Sequence, residues 1–531
     1  MKVNKLFLSA AVILGLGFTG CSNDDDVPSG EKGNTNVSVT LKMSAGSQTK
    51  ALPDDYNYIG EWAGKDDIKS VTVYLVDGSS VTSKSLEVAN DLTKDYQRQV
   101  NATTGDITLV PVSTNAAIKT TAGTKKVNVL VNGTTEVLKK LAKTPVAEFE
   151  DAYTKLPFKS ENSGTKTTVS TSADKLAVKN GTTDEKIVMT NVEPMTIDVL
   201  PNVTDTETLD GTAPKNRVRL NVERAVARVM VSTAATTYIV PSAGGSPLGT
   251  ISDIRWVLAQ GENSLYIQRK ADYATPNFGF IPADASTYAA QAGSKYDYSG
   301  LFENYVADDN FGGTTVATMA DYATNKIGAV TAELNAQLSG KFILPTTHED
   351  GAAAASKYKK GNTAYVLIRA KFTPAAAAFA DGLPYTSGAD FFVGANGKFY
   401  TTAANAIDPA KGGVTGQSVA KYVKGKVLYY AWVNPDAVPA WYNSPVIRNN
   451  VYHIHITGFK NLGTNWNPLY PENPDTTNPS NPDPKPSVPG VTEPENPIVP
   501  TDPLTTSETW MSVDVKVLPW KLHSYSVAPG I

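Results

Sequence analysis

Apolar and polar residues alternate with a period of two through much of this chain. Val37-Ser-Val-Thr-Leu-Lys-Met43 alternates strictly, and Val71-Thr-Val-Tyr-Leu75 does so with a tyrosine on its second face. Val127-Asn-Val-Leu-Val131 keeps valine along one face and runs into Asn132-Gly133, a turn pair. Val218-Arg-Leu-Asn-Val222 continues into Ala225 to Val231, a join that needs a bulge or bend to keep one face apolar. Ile254 to Ala259, Ser264 to Gln268, Tyr365 to Phe372, Lys426 to Val433 and Val451 to Thr457 are of the same kind. Period two with β-branched and aromatic residues predicts half-buried antiparallel strands. Helical periodicity is thin. Glu136 to Lys143 and Ala147 to Lys155 carry it best, while Ala352 to Lys359 and Ala375 to Ala380 are alanine-rich without an apolar stripe. Many strands with few short helices predict a mainly β protein built from β-sandwiches.

Two changes of composition suggest boundaries. Near Pro214 a polar Thr/Asp/Gly stretch gives way to the Val218 strand. Residues 468–503 hold twelve of the 33 prolines, interleaved with Asn, Asp, Glu and Thr. Proline removes ladder donors and the rest is polar, so this stretch is expected to form no core. It reads as an extended tether with a reach of about 110 Å in polyproline II form.

Beyond that tether lies another alternating strand, Met511-Ser-Val-Asp-Val-Lys-Val517, followed by Leu518-Pro519-Trp520. An isolated strand is not stable and must pair with a sheet, in its own chain or another. It matches the strand near the N-terminus position by position. Val37, Val39, Leu41 and Met43 in one, and Met511, Val513, Val515 and Val517 in the other, form the apolar face. Ser, a short polar residue and Lys form the second face in both. Either segment fits the same groove, although amphipathic strands of secreted proteins often look alike. The first copy is followed by Ala45-Gly-Ser-Gln-Thr-Lys50-Ala51-Leu-Pro53, a small polar run of the kind proteases cut. Cleavage between Lys50 and Ala51 severs that copy from the rest of the chain. Its departure leaves a groove for a strand from another subunit, a form of β-augmentation. A head-to-tail contact of this type does not close and grows a filament.

The N-terminus sets the compartment. Lys2 and Lys5 precede a short apolar run, Leu6 to Phe18, and Thr19-Gly20 precede Cys21. This is a signal-peptide layout, too short to span a bilayer. Cys21 stands where the acylated cysteine of a bacterial lipoprotein stands; the alternative is an ordinary cleaved signal. It is the one cysteine in 531 residues, so no disulfide or thiolate metal site is expected. Asp24-Asp25-Asp26 comes closely after it and keeps the chain in water. It resembles the acidic surface-export tag of Bacteroidetes lipoproteins, or is a plain solvated tether.

About 510 residues remain after the signal, enough for two to four domains. A net charge of −4 gives no basic footprint for nucleic acid. Four histidines are a poor supply for acid–base or metal chemistry. In His453-x-His455 the imidazoles share one strand face, and apolar Tyr452, Ile454 and Ile456 on the other predict that they face solvent. His348-Glu349-Asp350 reads as a surface turn. Asp66-Asp67 and Asp308-Asp309-Asn310 lack the spacing of a calcium loop. Asp475-Thr476-Thr477 has the form of an O-glycosylation triplet, which a polar linker also makes by chance. Tyr429, Tyr430, Trp432, Trp441 and Tyr442 read as a core strand and packed loop, or else as a sugar- or protein-binding patch. No phosphate loop or nucleophile elbow is present. No enzyme and no cofactor or metal is expected.

Ordered segments along the chain carry a family resemblance. They are the lysine-led signal with Cys21, Asp55-Tyr-Asn-Tyr-Ile-Gly-Glu61, Ser252-Asp-Ile-Arg-Trp256, Lys360-Gly-Asn-Thr-Ala-Tyr365, and Gly397-Lys-Phe-Tyr400. Tyr429-Tyr-Ala-Trp432, Arg448-Asn-Asn-Val-Tyr452, the Pro/Asp/Asn tether and Val517-Leu-Pro-Trp520 complete them. Over nearly its whole length the chain resembles the minor fimbrillins of Bacteroidia, the major subunits of their short fimbriae. The resemblance implies two transthyretin-like β-sandwich domains with few short helices, a Pro-rich tether and a C-terminal donor strand. The expected layout is a signal over 1–20, a lipidated propeptide over 21–50, domains over 51–216 and 217–467, the tether over 468–505 and the donor strand over 506–531. It further implies export as an outer-membrane lipoprotein precursor with Cys21 as the lipid site, then cleavage of Lys50–Ala51 by a trypsin-like surface protease. Strand 37–43 is then displaced, and the subunit polymerises into a cell-surface fimbrium supporting adhesion. The implied partners are other copies of the chain and anchor and tip subunits, with the membrane met only through the lipid. Family members are typically cut after arginine, whereas the first arginine here is Arg98, so either a lysine-directed or broader trypsin-like protease is needed or the cut lies elsewhere. Alternatives from other classes are a monomeric lipoprotein that binds glycan or host protein, and a tip or anchor accessory subunit.

Overall fold

The strictly alternating segments all form strands. The computed structural model describes residues 34–43, 62, 64–101, 106–155, 159–162, 167–242, 244–306, 311–352, 355–436, 442–471, 480–495, 498–504 and 511–519. Cys21, Lys50, Ala51, Trp441, Asp308-Asp309-Asn310 and Asp475-Thr476-Thr477 lie outside these residues. The first domain is built from β1 (Thr35–Met43), β2 (Ser70–Val76), β3 (Val81–Ala89), β4 (Tyr96–Val100), β5 (Ile107–Pro111), β6 (Ile118–Thr120), β7 (Gly123–Val131), β8 (Met189–Asn191), β9 (Met195–Val199) and β10 (Arg217–Arg224). Eight of them close into a ring in the order β1-β5-β4-β3-β2-β7-β8-β10 and back to β1. β6 extends the pairing of β1, and β9 that of β7. The ring is narrowest where β3 meets β4, through Val88–Tyr96 and Ala89–Gln97 alone, so much of β3 keeps an open edge there, whereas β1 is paired along both edges. Its interior is filled by the inward face of every strand, including Val39, Leu41, Val73, Leu109, Val129 and Leu220.

The boundary expected near Pro214 falls later. Arg217–Arg224 completes the first ring, and the chain crosses at the fully buried Ala225-Val226. The irregular join seen in the alternation is therefore a passage between domains. The second domain holds β11 (Ala227–Thr233), β12 (Tyr238–Pro241), β13 (Pro247–Ala259), β14 (Lys341–Ile343), β15 (Tyr365–Pro374), β16 (Lys426–Trp432), β17 (Asn450–Phe459) and β18 (Met511–Pro519). One sheet runs β14-β11-β17-β18 and the other β12-β13-β15-β16. They face each other across a core containing Val229, Trp256, Ile368, Phe372, Tyr429 and Ile454.

A further core joins the two domains. It takes Val137 and Leu141 from α1 (Thr135–Ala142), whose N-cap Thr134 accepts from Val137 N. From the second domain it takes Met230, Phe342, and Val330 and Leu334 of a second long helix, Lys326–Gln337. Two buried ion pairs cross the join, Glu185 with Arg228 and Glu223 with Arg269 at 2.8 Å, and Arg224, paired with Asp66 inside the first domain, reaches across to Asn449 Oδ1 at 3.1 Å. Helix Lys326–Gln337 has no clear apolar period and is absent from the sequence expectations. Of the other helical segments, 147–155 forms a 3-10 turn and then a short strand, and 375–380 one 3-10 turn.

Three sequence expectations fail on burial. The Pro-rich stretch is not a free tether: Leu469, Tyr470, Ile498 and Leu504 are buried in a core with Tyr365, Tyr430 and Trp432. Proline lacks a donor but keeps its carbonyl, so the stretch serves as an acceptor. Gly361 N donates to Pro500 O at 2.8 Å, Lys360 N to Asp502 O at 3.0 Å, and Val419 N to Thr492 O at 2.8 Å. The fully buried Asp483 accepts from Arg369 Nη2 at 2.6 Å and from Lys426 Nζ at 3.0 Å. Burial opposes its charge, but the two cations hold its carboxyl below the usual range. The histidine pair does not face solvent either. His453 and His455 are buried because Tyr322 covers that face of β17, stacking on His455 at 3.9 Å. Ser232 Oγ lies 2.7 Å from both imidazoles. His348 is likewise no surface turn. It is buried with its ring nitrogens 2.9 Å from the carbonyls of Phe278 and Asn362, and burial pushes its pKa down. Tyr429, Tyr430 and Trp432 are core residues, so they form no exposed patch.

A cavity of about 590 Å³ lies at the join of the domains, lined by Lys179, Glu262, Glu303 and Lys341 among others. Glu262 is buried, accepts from Asn277 N and Nδ2 at 3.1 and 2.9 Å, and burial pushes its carboxyl up to about 8.

Two outcomes are expected. Asp483→Ala strands Arg369 and Lys426 as buried charges and costs roughly 3–5 kcal/mol, read by denaturant unfolding. Asp483→Ala unfolding at the same denaturant concentration as the native chain would show that the strap is not anchored there. Glu262 is protonated in the fold at pH values where the unfolded carboxyl is ionised. Its contribution is full below the ordinary value of 4.5 and is lost as pH rises towards about 8. Glu262→Gln should flatten stability over that window, compared by thermal melts at pH 4.5 and 8.

Candidate functional site

The site is the place of β1 in the ring. Both edges of β1 are occupied. Along one it pairs parallel with β10, in the register Ser38 to Arg217, Thr40 to Arg219 and Lys42 to Asn221. Along the other it pairs antiparallel with β5 through Leu41 to Leu109 and Met43 to Ile107, and with β6 through Thr35 to Thr120 and Val37 to Ile118. Val37, Val39 and Leu41 are fully buried and Met43 is 9% exposed. Together these side chains contribute roughly 6–12 kcal/mol as an upper bound.

Polar groups fix the position of the strand. Asn216, at φ 47° just before β10, donates from Nδ2 to Thr35 Oγ1 at 3.2 Å and to Asn36 O at 3.0 Å. Thr35 Oγ1 donates to Leu200 O at 2.6 Å, and Asn36 N to Val203 O at 3.0 Å. Ser38 is polar yet fully buried. Its Oγ donates to Thr208 O at 2.9 Å and accepts from Arg217 Nε at 3.2 Å. Thr208 lies in the helical turn Asp205–Leu209, which is held by a capping box between Thr204 and Glu207. Tyr96 OH, fully buried across the ring, donates to Val39 O at 2.8 Å. On the outer face Lys42 Nζ lies 3.7 Å from Asp106, a half-exposed pair of small worth.

The four positions singled out near the N-terminus thus converge on one groove. Taking β1 away would leave β5 and β10 as two facing edges with unpaired backbone groups, over an apolar slot. The anchors Asn216, Thr208 and Tyr96 carry no signal in the sequence. They lie 57 to 181 residues from their β1 partners, and only the fold brings them there.

The matching terminal strand is elsewhere in this chain. β18 pairs antiparallel with β17 at the edge of the second domain, with Val513 opposite Ile456, Val515 opposite Ile454 and Val517 opposite Tyr452. Met511 stands opposite Phe459 after a bulge at Ile456/Gly458. All four partners belong to the sandwich core. The periodicity of β18 therefore falls in step with an apolar face in its own chain as well.

Residues 420–526 match the family model for the major fimbrial subunit protein type IV, fimbrillin, C-terminal. The chain is 32% identical to a Minor fimbrium subunit Mfa1 of Porphyromonas gingivalis, covering 99% of this chain and 100% of that protein. A second Mfa1 protein of the same species is 31% identical over the same shares. Among solved structures, a putative cell adhesion protein from Parabacteroides distasonis is similar over 92% of this chain and 100% of its own, at 11% identity and a TM-score of 0.40. The Mfa1 relatives are fimbrial subunits rather than enzymes, and the chain belongs to the minor fimbrium subunit family.

Proposed function

We propose that this chain is the shaft subunit of a surface fimbria that polymerises by exchanging β1 for the terminal strand of the next subunit. The observation that carries the reading is the position of β1. It is a single strand, inserted between two others, that completes a ring and is followed in sequence by the polar run containing Lys50. In this reading Cys21 carries the lipid that takes the precursor to the outer membrane. A lysine-directed or broad trypsin-like protease cuts Lys50–Ala51, and strand 37–43 leaves. Met511, Val513, Val515 and Val517 of another copy then fill the slot. A cut at Arg98 cannot serve, because Arg98 lies within β4, inside the ring itself. The shaft so formed supports adhesion and meets tip and anchor subunits at its ends. The second-domain docking of β18 gives the donor segment a resting place before assembly.

Limited digestion of residues 22–531 with a lysine-specific protease is expected to yield a new N-terminus at Ala51 and ladders or filaments. These are read by N-terminal sequencing, unboiled gels and negative-stain microscopy. A clean cut that leaves only monomer overturns the exchange reading. Deleting residues 506–531 is expected to leave a folded subunit that does not assemble, and normal filaments from that deletion would rule out the terminal strand as donor.

A further inference from the structure

Strand exchange does not by itself say in which register the donor enters, and this structure supplies the groups that choose. On the outer face of the groove β10 presents Arg217 opposite Ser38 and Arg219 opposite Thr40. Arg219 makes no ion pair among the described residues. Arg217 spends Nε on Ser38 Oγ, while its Nη2 is buried without a hydrogen-bond partner. Burial, and then the cation of Arg219, hold Arg217 below the usual guanidinium value. Asp210 lies near enough to act on Arg217, but β1 offers neither cation a charge, because Thr40 is neutral. At the far end of the same face, Asp106 takes Lys42.

We propose that the terminal strand of a second copy enters with Met511 in the place of Val37, so that Asp514 stands where Thr40 stands, beside Arg217 and Arg219. The inference rests on the exchange reading above and deepens it by fixing the register and naming its determinant. In this register Ser512 replaces Ser38 under Thr208 and against Arg217, and Lys516 replaces Lys42 beside Asp106. The two hydrophilic functions of β1 are thus kept, and Asp514 adds an acid that β1 lacks. An odd shift turns the apolar face outward. A shift of two one way puts Lys516 against Arg219, Asp514 into the buried place of Ser38, and Pro519 into the ladder where Met43 stood. That register sets like charges together at Arg219, and its buried acid, though met by Arg217, cannot donate to Thr208 O as Ser38 does. A shift of two the other way puts Thr509 into the buried place of Val37, Trp510 into that of Ser38, and Asp514 beside Asp106. That register again sets like charges together, and it asks a space filled by a serine to take an indole. The incoming strand differs from the departing one by an attraction rather than by hydrophobic content.

The test uses the full chain, cut after Lys50 so that Cys21 is gone and no native cysteine remains. Asn221→Cys, opposite Lys42 in the ladder, is combined in turn with Asp514→Cys, Lys516→Cys or Leu518→Cys. Assembly under mild oxidation is then followed on non-reducing gels. The expected result is a covalent ladder with the Lys516→Cys pair alone. A ladder from either other pair overturns the register and leaves strand exchange standing. Filaments with no covalent ladder in any pair overturn exchange into this groove, and the inference with it, as does failure of the native chain to assemble. Separately, Asp514→Arg should slow assembly roughly three- to tenfold, and adding Arg219→Asp should restore it. Circular dichroism checks the fold of each variant. Arg219 lies in the other domain from β18, so rescue cannot arise from intrachain docking. Loss of rate without rescue counts against the Asp514–Arg219 pairing.

Discussion

Closure of the first ring by β1 is the constraint on which the rest of the structure depends. Within it β1 is paired along both edges, with β10 on one side and β5 and β6 on the other. Removing one strand therefore opens two edges at once and uncovers the side chains beneath. β1 is also fixed by groups from distant parts of the chain: Tyr96 across the ring, Thr208 on a capped turn and Asn216 at the head of β10. The groove is thus defined by residues that belong to other elements than β1. That combination suits a vacancy that only a matching strand can fill.

The second domain addresses a different problem, how to hold a chain that has few backbone donors. The Pro-rich strap crosses the domain as a belt of carbonyls that accept from Gly361, Lys360 and Val419. Its buried acid Asp483 pairs with Arg369 and Lys426 together. Neither cation could remain in that interior alone. The strap is anchored as far as Leu504. The span from Leu504 to Met511 is then at most about 25 Å, against the roughly 110 Å of a free tether. In the exchange reading proposed above, so short a lead asks for a neighbouring subunit set close against the second domain. The core shared between the domains, with two buried ion pairs across it, makes the subunit a single link.

Strand alternation was legible because it depends only on which face is buried. β1, β2, β7, β15, β16 and β17 coincide with segments read directly from period two. α1 was legible through its periodic apolar residues. Helix Lys326–Gln337 was not, because its Val330 and Leu334 stand among alanines and glycine without a stripe. His453 and His455 misled for a related reason. Alternation identifies one apolar face of β17, while Tyr322, which covers the other, lies more than a hundred residues away.

The sequence by itself determined that this is a chain of amphipathic strands, that two of them are alike in pattern, and that a polar run comes after the first. Those are local properties, set by the order of apolar and polar side chains and by turn chemistry. Only the tertiary structure decided that the first strand closes a ring and that the boundary lies at Ala225-Val226. It alone decided that the strap is packed rather than free, and that Arg217 and Arg219 flank the groove. Each of these depends on groups distant in sequence meeting in space. Carbonyl acceptors, buried charges and sheet edges acquire their energy only from the partners the fold supplies.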